Sequence, residues 1–256
     1  MQERVDWYNA AIGRLDEVDG VDCRICKNKG FINRLIFANG FWNEELRPCE
    51  CMNSRGTKAM AQESGMQSIL QRYSFEGWKA DTDLQKYMLQ KAMGFLNERD
   101  KWFYVGGQSG CGKTHICTAI CGKLIEQHKS VKYMLWRDEI ARIKQNATDD
   151  AEYAKLMDSL KRPDVLYIDD LFKTGRAYNS STFSPTAADI NAAFEIINYR
   201  YNDPRKITII STEITIKDME IVDEAIAGRI AERCGADYCL NIAKDPKKNY
   251  RLHGGV

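Results

Sequence analysis

The stretch Gly107-Gln-Ser-Gly-Cys-Gly-Lys-Thr114 constrains this chain more than any other. An aromatic and β-branched run, Trp102 to Val105, precedes it and reads as a buried strand. Behind it Ile116, Ile120 and Leu124 recur at helical spacing, with Cys117, Cys121 and Ile125 beside them. Glycines between a strand and a helix let backbone N–H groups fold around a phosphate, and the helix N-terminus adds its positive end. In this pattern Gly107, Ser109, Gly110, Cys111 and Gly112 form the cradle, with His115 just beyond it. Lys113 reaches the β- and γ-phosphates, and the Thr114 hydroxyl ligates Mg²⁺. The bland alternative is an ordinary glycine turn. The complete motif in strand–turn–helix context favours binding of a nucleoside triphosphate, ATP or ADP with Mg²⁺.

Apolar residues make up 44% of the 256, enough for a sizeable core, so an intrinsically disordered chain is excluded. The net charge of +1 means that nucleic-acid affinity must come from a local patch. No apolar run approaches membrane-spanning length, and Met1-Gln-Glu-Arg4 lacks a signal-peptide core. Nine cysteines, several at helical or P-loop positions, do not form a disulfide pattern. A cytoplasmic protein without membrane partners is expected.

Val5, Tyr8, Ile12 and Leu15, with Trp7 and Ala11, suggest one short helix stopping before Gly20. Cys23-Arg-Ile-Cys26 and Cys49-Glu-Cys51 then bracket Asn39-Gly40, a two-residue hairpin turn between Leu35-Ile-Phe37 and Phe41-Trp42. Such a hairpin brings the pairs together, and Cys23, Cys26, Cys49 and Cys51 can supply the S₄ shell of a structural zinc. Unrelated reduced thiols or a redox Cys-x-x-Cys are the alternatives, but no thioredoxin-like βαβ pattern surrounds the pair. We expect residues 1–60 to form a zinc-binding domain, 61–83 a polar linker with one or two short helices, and 84–256 the nucleotide-binding domain.

In that second domain Leu84, Met88, Ala92 and Phe95 mark a helix, Val131 to Trp136 a strand, and the residues around Ile140 and Leu156 two further helices. Val165 to Asp170 reads as a buried parallel strand with two carboxylates at its C-terminal end, where ligands bind in open α/β sheets. Asp169 fits a Mg²⁺ ligand and Asp170 a water-activating carboxylate; a helix-capping pair is the bland reading. Lys173, Arg176, Tyr178 and Phe183 interleave charge and aromatic rings in a loop-like stretch suited to single-stranded nucleic acid, or equally to a surface connector. Ser184-Pro185 is expected to cap a helix burying Ile190, Phe194, Ile197 and Tyr201. A strand over Lys206 to Glu213, a helix carrying Arg229 and Arg233 four apart, and a strand over Tyr238 to Ile242 complete the order.

These motifs in this order resemble an AAA+ ATPase, and more closely the DnaC/DnaI-like loaders of replicative helicases. The resemblance rests on Gly106 to His115, Ile209 to Glu213, Gly228 to Arg233, Asn249-Tyr-Arg251 and the cysteine module. It implies an α/β fold, an AAA+ P-loop core of parallel sheet flanked by helices, with a small N-terminal zinc-binding, helicase-docking domain. It also implies ATP hydrolysis, loading of a hexameric replicative helicase onto single-stranded DNA, and homo-oligomers on ATP binding. Arg233, with Arg229 second, resembles the arginine finger acting on a neighbour, and Arg251 the sensor arginine on the chain's own nucleotide. Two departures stand out. Asp170 replaces the commoner Glu, and Glu213, or Thr212 beside it, stands where Asn is usual, which points to slow, switch-like hydrolysis. An IstB-like transposition helper, a small-molecule kinase and an ATP-binding scaffold with little hydrolysis are the competing readings.

Overall fold

The computed structural model describes residues 1–38, 40–173 and 185–253. They form two compact units, Met1–Gln62 and Glu63–Val256.

The first unit is built on the hairpin. Strands β1 (Phe31–Ala38) and β2 (Phe41–Pro48) pair antiparallel from Phe31↔Pro48 to Ala38↔Phe41, longer than the sequence signal implied. The single N-terminal helix expected from periodicity is two, α1 (Gln2–Ala10) and α2 (Leu15–Asp19). The chain breaks between them because Gly13 N–H donates to the Lys27 carbonyl (2.6 Å) and Leu15 N–H to that of Asn28 (3.1 Å). These bonds to the cysteine loop replace helical ones. Val5 is buried, but Trp7 and Ile12 are exposed, so the expected apolar face does not exist. Helix α3 (Cys51–Glu63) leaves the second cysteine pair.

The second unit is a five-stranded parallel sheet. Its strands are β3 (Phe103–Gly107), β4 (Val131–Leu135), β5 (Val165–Asp169), β6 (Ile207–Ser211) and β7 (Cys239–Ile242), in the order β4-β5-β6-β3-β7. Every residue of β3, β5 and β6 is buried, which is why these runs read as continuous apolar strands. The helices are α4 (Gln67–Arg72), α5 (Asp83–Phe95), α6 (Lys113–Glu126), α7 (Trp136–Gln145), α8 (Asp150–Lys161), α9 (Ala187–Tyr201), α10 (Ile216–Val222), α11 (Glu224–Tyr238, interrupted at Gly235) and α12 (Tyr250–His253). Much of the segment read as linker packs into this unit: Met66 is fully buried, and Tyr133 N–H donates to the Ser64 carbonyl. No helix among the described residues is long and apolar enough to cross a membrane.

Helix α9 corrects two expectations. Its cap is Thr186, whose hydroxyl accepts from Asp189 N–H in a capping box. Ser184 lies outside the described residues. Its buried stripe is Ala192, Ala193, Ile196, Ile197 and Arg200, whereas Phe194 and Tyr201 are only half-buried. The register moved because Arg200 is taken inside. Its guanidinium donates to the carbonyls of Leu160, Lys161, Pro163, Asp164 and Ile207 and to the Thr208 hydroxyl, tying α8 to the starts of β5 and β6. Burial pushes its pKa down to about 9, still charged at neutral pH. Each carbonyl left without a donor costs about 1–3 kcal/mol, so Arg200→Met should destabilise the second unit by about 3 kcal/mol or more. Urea unfolding followed by tryptophan fluorescence measures this; an unchanged midpoint would refute the role.

Candidate functional site

The cradle forms at the C-terminal end of β3. Gly107 has φ +107°, and a Cβ there would lie 1.9 Å from the Ile242 carbonyl oxygen, so β7 admits only glycine. Gly112 has φ +97°, and the Trp78 ring occupies the space a side chain would need, 2.8 Å from an added Cβ. Lys113 opens α6, is buried, and donates through Nζ to the carbonyls of Gly107 (3.1 Å) and Gln108 (2.6 Å). Burial lowers its pKa against the opposing pull of Cys111, Glu213 and Asp170.

Beside the cradle, separated from β3 by β6, β5 delivers Asp169. This buried carboxylate accepts from Thr114 Oγ1 (3.2 Å), Tyr167 OH (2.8 Å), Tyr133 OH (3.0 Å) and Ser211 Oγ. Thr114 and Asp169 thus meet, as joint ligation of Mg²⁺ requires. The chain then turns sharply. Asp170 and Phe172 both have positive φ (56° and 63°), a conformation that costs a non-glycine residue roughly 1–3 kcal/mol. Asp170 N–H donates to Ser211 Oγ (3.2 Å), and the buried Phe172 ring packs edge-on to Trp136. The turn returns Lys173 over the strand ends, with Nζ 3.0 Å from both Asp170 Oδ2 and Glu213 Oε1. Burial would raise the Glu213 carboxyl, but Lys173, Ser109 and Lys113 together hold it below its ordinary value. Thr212 beside it is buried and donates to the Leu171 carbonyl (2.8 Å).

A cavity of about 780 Å³ opens here, within the range of small-ligand sites. Ser109, Gly110, Cys111, Gly112, Lys113, Thr114, His115, Asp170, Lys173, Glu213 and Arg251 all reach it. Its far wall is aromatic: Tyr73 and Trp78 pack against His115 at 5.0 and 5.1 Å, and His115 Nε2 meets the Ser74 carbonyl at 2.8 Å. Helix α12 closes the rim, with Tyr250 N–H on the Gly110 carbonyl and Tyr250 OH 2.8 Å from Thr82 Oγ1. Sequence reading missed Tyr73, Trp78, Tyr133, Tyr167, Ser211 and Tyr250. Tyr167 was legible, since it shares a strand face with Asp169. Trp78 was hidden in a polar stretch.

Three of the expected site residues are engaged within the chain. Arg233 is no free finger in this structure. Its guanidinium donates to the carbonyls of Asp100, Tyr201, Asp203, Pro204 and Lys206 and lies 5.0 Å above the Trp102 ring. Arg229 is held more lightly, by Asn198 Oδ1 and the Ala225 carbonyl, over Phe194 and Tyr201, and borders an open surface cleft. Lys173 lines the cavity, bound by two carboxylates. Arg176, Tyr178 and Phe183 lie outside the described residues.

In the first unit the sulfurs of Cys23, Cys26, Cys49 and Cys51 all lie within 4.8 Å of one another, with Cys23–Cys49 at 3.8 Å and Cys26–Cys51 at 3.5 Å. A tetrahedral ion with bonds of about 2.3 Å to sulfur needs sulfurs about 3.8 Å apart, so the four fit one. Gly30 N–H donates to Cys26 Sγ (3.3 Å), and Asn28 Oδ1 accepts from Cys23 N–H (2.7 Å), fixing the loop around them.

The Lys173–Glu213 pair carries a pH signature. A carboxylate whose pKa falls on folding stabilises above its unfolded value, about 4.5, and loses that contribution as pH drops through the folded value. Wild type should therefore melt above Glu213→Gln by a constant margin from pH 6 to 8, and the two should converge below about pH 4.5. A margin independent of pH down to 3 would contradict the pairing.

Residues 43–238, more than half the chain, match the IstB-like ATP binding protein family. The chain is 29% identical to the phage-like element PBSX protein XkdC of Bacillus subtilis (strain 168), over 91% of this chain and 87% of that protein. It is 30% identical to the replicative helicase loader DnaC of Escherichia coli (strain K12), over 42% of this chain and 46% of that one. The crystal structure of DnaI superposes with a TM-score of 0.53 at 21% identity, over 69% of this chain and 93% of that one, a likeness of fold. The chain belongs to the IstB-like ATP binding protein family, and over part of its length it is similar to DnaC.

Proposed function

We propose that this chain is an ATP-dependent loader that places a hexameric replicative helicase on single-stranded DNA. The observation that carries the reading is the pairing in one chain of a Mg²⁺-suited nucleotide cavity with a four-cysteine unit. Lys113 binds the β- and γ-phosphates, Thr114 and Asp169 hold Mg²⁺, and Arg251 contacts the chain's own nucleotide from α12. Magnesium, when bound, offsets charge on the phosphoryl oxygens. Asp170 orients the attacking water; its short side chain, held by Lys173, suits slow hydrolysis that works as a switch. Arg229, the less engaged guanidinium of α11, serves a neighbouring copy in an ATP-dependent homo-oligomer. Zinc, held by Cys23, Cys26, Cys49 and Cys51, rigidifies the unit that docks on the helicase.

An IstB-like transposition helper is the second reading, favoured by the family match itself. The two differ in partner: a helicase with single-stranded DNA for the first, duplex DNA with a transposase for the second. Purified full-length protein should contain one zinc per chain, retain a hexameric replicative helicase on a column with ATP, and hydrolyse ATP slowly. Cys49→Ser should lose zinc and helicase yet bind ATP, and Arg229→Ala should bind ATP but lose turnover. Absence of helicase capture alongside tight duplex binding would reverse the choice. Absence of zinc in protein purified without chelator would remove the metal from the account.

A further inference from the structure

Lys173, like Arg72 and Lys79, is a basic residue of the cavity that the expected phosphate-binding set leaves out, and the fold takes trouble to position it. Two consecutive constraints aim it: Asp170 and Phe172 hold positive φ, and Phe172 is buried against Trp136, so the backbone at 173 cannot swing away. Its N–H donates to the Asp170 carbonyl (2.9 Å), closing the turn. The ammonium then sits between Asp170 Oδ2 and Glu213 Oε1, 3.0 Å from each. An ammonium has three N–H donors, so two carboxylates leave one. The side chain remains 44% exposed and faces the cavity that Lys113, Ser109 and Thr114 line.

The charges explain the arrangement. Glu213 alone would repel a triphosphate, and Asp170 alone would add to the repulsion. With Lys173 between them the pair presents a positive hydrogen-bond donor on a negative mount. Burial pulls the Lys173 pKa down, but Asp170 and Glu213 raise it further, so the ammonium stays charged through the neutral range. Lys113 reaches the cavity from the cradle side, through α6; Lys173 reaches it from the ends of β5 and β6. Both ammonium groups line the same cavity as Thr114.

We propose that Lys173 is a specificity residue that contacts the γ-phosphate and makes the site prefer nucleoside triphosphate over diphosphate, with Asp170 and Glu213 as its mount. The inference rests on the nucleotide-binding reading and adds to it a second cation, supplied by the same chain. A diphosphate does not reach Lys173, so its binding is indifferent to the residue.

The test measures dissociation constants of Mg²⁺·adenylyl imidodiphosphate and Mg²⁺·ADP by calorimetry on the full chain. Variants are Lys173→Met, Lys173→Arg and the double variant Lys173→Met/Glu213→Gln. Lys173→Met should lose roughly tenfold in triphosphate affinity while ADP binding stays within about twofold, which also shows that the variant is folded. Lys173→Arg should keep most of the preference. In the double variant the loss should persist, because the missing contact is to the phosphate. Equal losses for both nucleotides, no loss for either, or full recovery in the double variant would overturn the proposal; the last would mean that Lys173 only screens Glu213. Wild-type protein binding neither nucleotide would instead overturn the nucleotide reading on which the proposal stands.

Discussion

One buried carboxylate organises the carboxyl edge of the sheet. Asp169 gathers hydroxyls from β4 (Tyr133), β5 (Tyr167), β6 (Ser211) and the first turn of α6 (Thr114). A charge with so little water around it is tolerable only when its lone pairs are filled, and here four donors fill them. The consequence is geometric. The strand carrying the acid, its two neighbours and the helix behind the glycine-rich turn are fixed to a common point, so Thr114 and Asp169 keep their spacing without help from a ligand. Shortening or removing any one of these hydroxyls loosens the whole edge.

The opposite edge of the sheet uses the reverse chemistry. There the starts of β5 and β6 and the ends of α8 and α9 leave carbonyls pointing inward, and two guanidiniums collect them, Arg200 wholly buried and Arg233 half so. Planar five-donor groups suit this task better than lysine, since several carbonyls converge from different chains of bonds. Function therefore concentrates at the carboxyl ends of the strands and stability at the amino ends. The first unit, too small for a large core, relies on the hairpin, the Arg55–Asp19 pair and the four sulfurs.

The nucleotide site was legible where chemistry demands contiguous residues. Gly107 to Thr114 had to be together because a phosphate loop is a local backbone structure, and Asp169-Asp170 because they end one strand. The positions of the strands and of most helices along the chain followed from apolar period. What was not legible depends on tertiary approach. Trp78 closes on Gly112 from a polar stretch that gave no periodic signal, and Tyr250 reaches Gly110 from the far end of the chain. The two α11 arginines share one face in sequence, yet a surrounding ring of carbonyls captures Arg233 and leaves Arg229 nearer the surface. The α9 stripe shifts for a related reason, because the hydrogen bonds of Arg200 draw this charged residue inside.

The account stands on the cavity at the carboxyl edge being a Mg²⁺-dependent nucleoside triphosphate site. Equilibrium dialysis of the full-length chain against labelled ATP, with Mg²⁺ and then with the metal chelated, addresses this directly. The account predicts saturable binding of one ATP per chain that weakens sharply without Mg²⁺, since Thr114 and Asp169 act only through the metal. Binding that does not saturate, or that is indifferent to Mg²⁺, would contradict it.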